Sequence, residues 1–183
     1  MSTLEPSSDR LVVAIQGHTA YVHVMGRGSF KISTGLKQFG IAALGDGCHE
    51  VVIDMAECTG MDSTFMGVLA GFASRLKQKE DGQIYVVNLA SRTRNLLATL
   101  GLDQAVQAFM VGSTPPQFQQ ILSAEFGEQE IVGGDESRQS VARTMLEAHE
   151  SLVSLDPENI PKFKDVLSFL REDLCKEESS SQS

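Results

Sequence analysis

The spacing of apolar residues predicts five short strands in the first two thirds of the chain. Residues 11–15 and 20–25 are apolar runs joined by a glycine-containing turn, a pattern typical of a β-hairpin. Residues 51–53 and 84–87 are continuous runs rich in β-branched side chains, which indicates strands buried on both faces. Residues 105–111 predict a last, short strand at the edge of the sheet.

Between these strands, apolar residues recur every three or four positions, which predicts helices. The first helix follows Ser29, a candidate N-cap, and ends near Gly45. The second, residues 64–79, has the clearest apolar stripe, formed by Phe65, Val68, Leu69, Phe72, Ala73 and Leu76. A third helix starts at Ser91, and a fourth occupies residues 113–122. Strands that alternate with helices predict an α/β fold in which helices back a small mixed β-sheet.

The pattern changes in the C-terminal third of the chain. Residues 127–140 are polar and acidic and contain a Gly-Gly pair, which predicts a linker after a first domain of residues 1–126. Residues 141–176 predict an αα-hairpin, because two heptad-like apolar series flank an Asp-Pro turn. Those series are Val141, Met145, Ala148, Leu152 and Leu155, then Ile160, Phe163, Leu167, Leu170 and Leu174. Residues 177–183 have the composition of a disordered tail.

Charge and cysteine content limit the class of protein. The net charge is −9, and residues 128–183 contain 13 acidic residues against six basic ones. Because an acidic chain without a basic stripe neutralises phosphates poorly, direct nucleic-acid binding is not expected. The three cysteines lack the spacing of a zinc site or a disulfide framework, which indicates reduced thiols in a cytoplasmic protein. Neither a signal peptide nor a membrane span is expected, because no apolar run approaches the ~20 residues that cross a bilayer.

The residue patterns of common enzyme sites do not occur in the sequence. There is no Walker loop and no dinucleotide-binding fingerprint. The segment Met61-Asp62-Ser63-Thr64-Phe65 is not the Gly-x-Ser-x-Gly of a nucleophile elbow. The histidines occur singly, without metal-ligand spacing: His18, His23, His49 and His149. We therefore predict no catalytic residue, metal or cofactor, and a hydrolase or transferase with Ser63 as nucleophile is the least favoured hypothesis.

Ser63 stands where the strongest predicted helix begins, shortly after a buried strand that ends at Asp54. One interpretation is structural: Asp62 or Ser63 caps the helix. The other is that Ser63 is phosphorylated. The helix N-terminus can hold a phosphate, and the added charge of roughly −1.5 to −2 beside Asp62 would repel a docked partner. Such a switch would change binding without changing the fold.

The segment from Val51-Val52-Ile53-Asp54 to Gly60-Met61-Asp62-Ser63-Thr64-Phe65-Met66-Gly67-Val68-Leu69 resembles the signature of STAS domains in anti-sigma factor antagonists. In that family a buried strand leads to a Met-Asp-Ser turn, then to a helix with a small residue and Gly-x-Leu. The resemblance covers roughly residues 10–122, so it implies a STAS-like fold for the first domain and leaves the C-terminal hairpin outside.

The resemblance implies a partner switch. Unphosphorylated family members bind an anti-sigma factor that is also a serine kinase, and so free the sigma factor. The kinase then phosphorylates the serine that matches Ser63, and a protein phosphatase resets it. By this resemblance the partner-binding residues are Asp62, Ser63, Thr64, Met66, Gly28 and Ser29. The chain departs from many members by having Gly26-Arg27-Gly28-Ser29 in place of an acidic residue, which alters the charge presented to a kinase.

Two questions stay open at the level of sequence. The first is whether the domain is instead a scaffold or a ligand-sensing module in a signalling assembly, with Ser63 only a cap; a pocket lined by Tyr21 and His23 would favour a sensor. The second is the role of residues 141–176. The hairpin can pack back on the sheet domain, form a homodimer with a second copy, or bind a partner helix, and the first two outcomes are favoured.

Overall fold

Six strands form one mixed sheet in the computed structural model, which describes residues 9–122 and 129–182. They are β1 (Arg10–Gln16), β2 (Thr19–Gly28), β3 (Glu50–Met61), β4 (Gln83–Leu89), β5 (Gln107–Met110) and β6 (Gln129–Val132). Their order across the sheet is β5-β4-β3-β2-β1-β6. The strands from β2 to β5 are parallel to one another, whereas β1 is antiparallel to both of its neighbours.

Among the described residues, six α-helices accompany the sheet. They are α1 (Phe30–Gly45), α2 (Ser63–Leu76), α3 (Ser91–Thr99), α4 (Pro116–Leu122), α5 (Arg138–Leu155) and α6 (Ile160–Ser180). Short 3-10 turns occupy Leu102–Gln104 and Pro157–Asn159. The mixed sheet with its helices confirms the predicted α/β fold and the predicted strand–helix order.

The main hydrophobic core lies between one face of the sheet and helices α1, α2 and α3. Alternate residues of a strand reach opposite faces: Val51 and Ile53 of β3 enter this core, whereas Val52 belongs to a smaller cluster on the other face. Phe118 of α4 is buried in that smaller cluster. The β-branched run in β3 is therefore buried on both faces, as the sequence predicted.

The C-terminal third differs from the prediction in two places. Residues 129–132, inside the range predicted as a linker, form β6 and pair with the free edge of β1. An edge strand forms by pairing its backbone groups with those of a neighbouring strand. The sequence of β6 is only four residues long and has no periodic pattern, so it did not predict a strand. Helix α6 also runs to Ser180, into the predicted disordered tail, because a polar composition equally suits the exposed end of a long helix. The start of the predicted linker, residues 127–128, lies outside the described residues.

The αα-hairpin formed by α5 and α6 packs back on the first domain. Ala148 and Leu152 of α5 join the main core. At the turn between the two helices, the fully buried side chain of Asn159 donates hydrogen bonds to the carbonyl oxygens of Leu100 (3.0 Å) and Leu152 (2.9 Å). Whether residues 141–176 are a domain separate from residues 1–126 stays a prediction.

Candidate functional site at the start of α2

The order of the elements brings two helix N-termini together. Strands β2 and β3 are parallel neighbours, and Gly28 pairs with Met61 near their carboxyl ends. Helix α1 begins two residues after β2, and α2 begins two residues after β3. Both helices therefore start side by side at the same edge of the sheet, the edge where α/β proteins place their binding sites.

Asp62 connects these two N-termini through its carboxylate. Its Oδ1 accepts a hydrogen bond from the amide of Phe65 in α2 (2.9 Å), and its Oδ2 accepts one from the amide of Phe30 in α1 (2.7 Å). The Asp62 amide in turn donates to the carbonyl of Gly28 (2.9 Å). A negative charge at a helix N-terminus is stabilising. Asp62, and not Ser63, is thus the N-cap of α2, which resolves the structural interpretation of the motif.

The Ser63 hydroxyl is bonded to a histidine from the hairpin. Its oxygen lies 2.9 Å from Nε2 of His149 in α5. Nδ1 of His149 lies 2.6 Å from the carbonyl oxygen of Met145, and a carbonyl only accepts, so Nδ1 carries a hydrogen. In the neutral ring Nε2 is then the acceptor, and the Ser63 hydroxyl donates to it.

The Ser63–His149 pair has the distance of a nucleophile and its base, but its surroundings differ from those of a catalytic dyad. His149 is 3% exposed, and the ring of Phe163 packs edge-on against it with 4.9 Å between centroids. The group that orients the imidazole is a backbone carbonyl of the same helix and not a carboxylate. The contact therefore functions as a partly buried hydrogen bond between α2 and α5.

Helix α5 lies against the outer surface of α2 at very short range. A Cβ atom added to Gly67 would lie 2.3 Å from the carbonyl oxygen of Ala148, so only glycine lets the two backbones approach so closely. One turn later the helices diverge, and a Cβ at Gly71 would meet Ser151 Oγ at 3.4 Å. A groove of about 450 Å³ lies between α2 and α5, and Lys37 and Ile41 of α1 also line it.

The residues that the resemblance assigned to partner binding fall into two groups. Asp62 and Ser63 are half-buried. The other four are buried in this structure: Gly28, Ser29, Thr64 and Met66. Ser29 caps α1 by accepting a hydrogen bond from the Lys31 amide, as its position predicted. The structure thus brings all six residues to one edge of the sheet and leaves two of them with exposed surface. His149, which sequence analysis treated as a single unremarkable histidine, joins them.

A second polar cluster supports the end of β2. His23 Nδ1 lies 2.8 Å from Asp54 Oδ2 and His23 Nε2 lies 2.6 Å from Glu57 Oε2. Asn88 Nδ2 also donates to Asp54 (2.9 Å). The hydrogen bond to Asp54 raises the pKa of His23 to about 9, with Glu57 adding to the effect and burial opposing it. For Asp54, burial works to raise the pKa, but the hydrogen bonds from His23, Asn88 and the Ala56 amide outweigh it, so this pKa is lowered.

His23 is bonded to two carboxylates and its pKa is raised, so we expect a pH-dependent effect of His23→Gln. The pKa is raised in the folded protein, so the stabilisation is complete below the unfolded value of about 6.5 and is lost as pH rises through about 9. The variant should lose about 1–3 kcal/mol of unfolding free energy near pH 6, the lower part of that range reflecting the 28% exposure of the side chain. Urea denaturation at several pH values measures this.

The matched control is His18→Gln, because His18 is exposed and stacks on His49. We expect this control to change stability by no more than about 0.5 kcal/mol at each pH. A loss for His23→Gln that stays constant from about pH 6 to pH 10 would show that the imidazole acts through packing and not through its charge.

Residues 9–122 and 129–182 contain neither a metal-binding cluster nor a membrane-spanning helix. No group of three or more His, Cys, Asp or Glu side chains in that part of the chain could hold a metal ion. Within the same residues, no helix has the length and apolar character needed to cross a membrane. Cys48, Cys58 and Cys175 are free thiols.

Comparison with known proteins identifies the first domain. The family model described as "Mlab, STAS domain" matches residues 11–112, more than half of the chain. No curated protein matches the chain at a significant level. The match ends before α5, so the family model does not include His149 or the hairpin.

Solved structures show the same fold at low sequence identity. The anti-sigma factor antagonist SpoIIAA in its unphosphorylated form aligns with 13% identity and a TM-score of 0.51, over 63% of this chain and 99% of that one. An anti-sigma factor antagonist from Mycobacterium paratuberculosis aligns with 21% identity and a TM-score of 0.51, over 64% of this chain and 96% of that one. The chain therefore belongs to the STAS domain family, and its sheet and helices have the fold of the anti-sigma factor antagonists.

Proposed function

We propose that this protein is a regulatory binding protein of the anti-sigma factor antagonist type, switched by phosphorylation of Ser63. In its unphosphorylated form it binds an anti-sigma factor that is also a serine kinase, and a protein phosphatase removes the phosphate. It acts in the cytoplasm by binding, without catalysis of its own. The observation that carries the proposal is that Asp62 caps α2, so the Ser63 hydroxyl is not needed as a cap.

The electrostatics of the site give the phosphate a large effect on binding. Ser63 is the first residue of α2, where the helix dipole and the free amides accept an anion. The Asp62 carboxylate already holds one amide of each helix. A phosphate would add roughly −1.5 to −2 charges next to it. A partner that docks on this edge would then meet two adjacent anions in place of one.

Site-mapped mass spectrometry of the protein from its native cells tests this proposal. We expect a mass increase of one phosphate on Ser63 that is absent from Ser63→Ala. The matched control is Ser91→Ala, because Ser91 is an exposed serine at the first position of another helix, α3. Loss of the phosphate in the control as well, or an unmodified Ser63 under every growth condition, would contradict the proposal.

The alternative is a STAS scaffold or ligand-sensing module without Ser63 phosphorylation. The hydrogen bond between Ser63 and His149 favours it, because that bond gives the hydroxyl a structural role. A ligand sensor is less well supported than a scaffold: both ring nitrogens of His23 are bonded to carboxylates, and Tyr21 is packed against Val52 in the smaller cluster. If no partner distinguishes Ser63→Asp from the wild type, the scaffold becomes the better account.

A further inference from the structure

The hairpin of α5 and α6 has the properties of a unit that can move as one piece. It has a small core of its own, in which Ala142 of α5 packs with Leu170 and Leu174 of α6. Ion pairs join the two helices along their length: Arg138–Asp173, Arg143–Glu178 and Arg171–Glu150. These contacts do not involve α2, so the hairpin can keep its structure when it leaves the sheet domain.

The segment that precedes the hairpin is suited to act as a hinge. Residues 133–137 connect β6 to α5 without regular structure, and Gly134 has φ of +119°, a conformation that glycine adopts readily. Because β6 is paired with β1, the chain stays attached to the sheet up to residue 132. Movement of the hairpin therefore requires a change only in these few residues and in its contacts with the domain.

Polar contacts contribute to the attachment of α5, beside the apolar packing of Ala148 and Leu152 in the main core. Besides the Ser63–His149 bond, the hydroxyls of Thr34 and Thr144 lie 3.1 Å apart and the Lys37 ammonium lies 2.8 Å from Glu147. Polar contacts of this kind can be exchanged for contacts with water at a small net cost. The groove lined by α1, α2 and α5 also leaves part of the boundary between α2 and α5 unfilled.

We propose that the hairpin is a reversible cover of the start of α2, so that Ser63, which is half-buried against it, becomes fully accessible to a kinase or partner when α5 moves away. This inference rests on the proposed function, since it names the regulation of the same site. Phosphorylation would replace the hydroxyl hydrogen of Ser63 and would add bulk where α2 meets His149 of α5. The phosphate therefore weakens the cover, and by thermodynamic linkage the seated cover opposes phosphorylation to the same degree.

Thiol labelling of the full-length chain tests the cover without a partner. The chain carries Ser63→Cys, with Cys58→Ser and Cys175→Ser to remove the other thiols that are not buried, and the probe is iodoacetamide. Adding Gly67→Ala places a methyl group 2.3 Å from the Ala148 carbonyl and so forces α5 away. We expect the thiol introduced by Ser63→Cys to react roughly 5- to 150-fold faster, the range typical of coupled sites.

Gly71→Ala is the matched control for this experiment. It makes the same substitution one turn along the same helix, but its methyl group meets only Ser151 Oγ at an ordinary distance of 3.4 Å. We expect labelling within about twofold of the parent, since such a contact needs no movement of α5. Equal labelling rates for Gly67→Ala and Gly71→Ala, in proteins that both remain folded by circular dichroism, would overturn the proposal.

A second measurement does not depend on the folding of Gly67→Ala. Hydrogen exchange of full-length Ser63→Asp should show amides of residues 138–155 exchanging roughly 5- to 150-fold faster than in the wild type, with β3 unchanged. Ser91→Asp, the same change at the start of α3, should leave α5 as in the wild type. Unchanged exchange of α5 in Ser63→Asp would reject the cover even if Ser63 is phosphorylated in cells. Faster exchange with no phosphate in cells would instead reject the proposed function alone.

Discussion

Phe65→Ala should lower the free energy of unfolding by about 3–5 kcal/mol, the usual cost of removing a buried phenyl ring. Phe65 is fully buried in the first turn of α2. A Cβ atom added to Gly28 would lie 2.9 Å from its ring, so the ring packs directly on the backbone of β2. Its loss leaves a cavity beneath the point where α1 and α2 begin, which the rigid backbone of the strand cannot fill.

Urea denaturation followed by circular dichroism measures this loss. Phe169→Ala is the matched control, because 64% of the surface of Phe169 is exposed on α6 and its removal should cost no more than about 0.5 kcal/mol. Because domains of this size are stable by only about 5–15 kcal/mol, Phe65→Ala should also shift the midpoint to much lower urea. A loss below about 1 kcal/mol would mean that α2 relaxes onto the sheet without its ring.

Asp62→Ala should cost about 1–4 kcal/mol, since one N-cap contributes about 0.5–2 kcal/mol and this carboxylate serves two helices. Without it, the amides of Phe30 and Phe65 lose their acceptor. The same denaturation experiment measures the effect. In Asp62→Asn the side-chain oxygen still caps one amide, and asparagine is as good an N-cap as aspartate, so its loss should be about half that of alanine.

The comparison of the two variants separates capping from charge. Equal losses for Asp62→Asn and Asp62→Ala would show that the negative charge at the paired N-termini matters more than the hydrogen bonds. A loss below about 0.5 kcal/mol for Asp62→Ala would show that water replaces the carboxylate at both amides, and that the two helix starts are held by the strands alone.

Most of the fold could be predicted from the sequence because its core elements have strong patterns. The run Val51-Val52-Ile53 is β-branched throughout, and the apolar stripe of α2 repeats at helical spacing. Strand β6 could not be predicted in this way, because only Ile131 is half-buried and its other three residues are exposed. Its formation depends on the edge of β1, a tertiary interaction that leaves no local pattern.

The sequence predicted where the candidate site lies, but it did not predict that His149 belongs to it. The strand–turn–helix order placed Asp62 and Ser63 correctly at the start of α2. His149 is 86 residues away from Ser63 in sequence, and a single histidine carries no spacing that could link the two. The sequence nevertheless indicated that another element covers α2. Residues 65–73 contain no polar side chain, and a helix that is apolar around its whole circumference is buried on every side.

The packing of α5 on α2 also bears on how the protein can be shortened. The family match stops at residue 112, and a protein cut there would lack α5, which packs on α2 at Gly67. The apolar side of α2 that faces α5 would then be an exposed apolar strip. Surfaces of this kind drive self-association, so the matched residues alone should aggregate or pair through α2, and the natural boundary for producing this STAS domain in soluble form lies beyond residue 155.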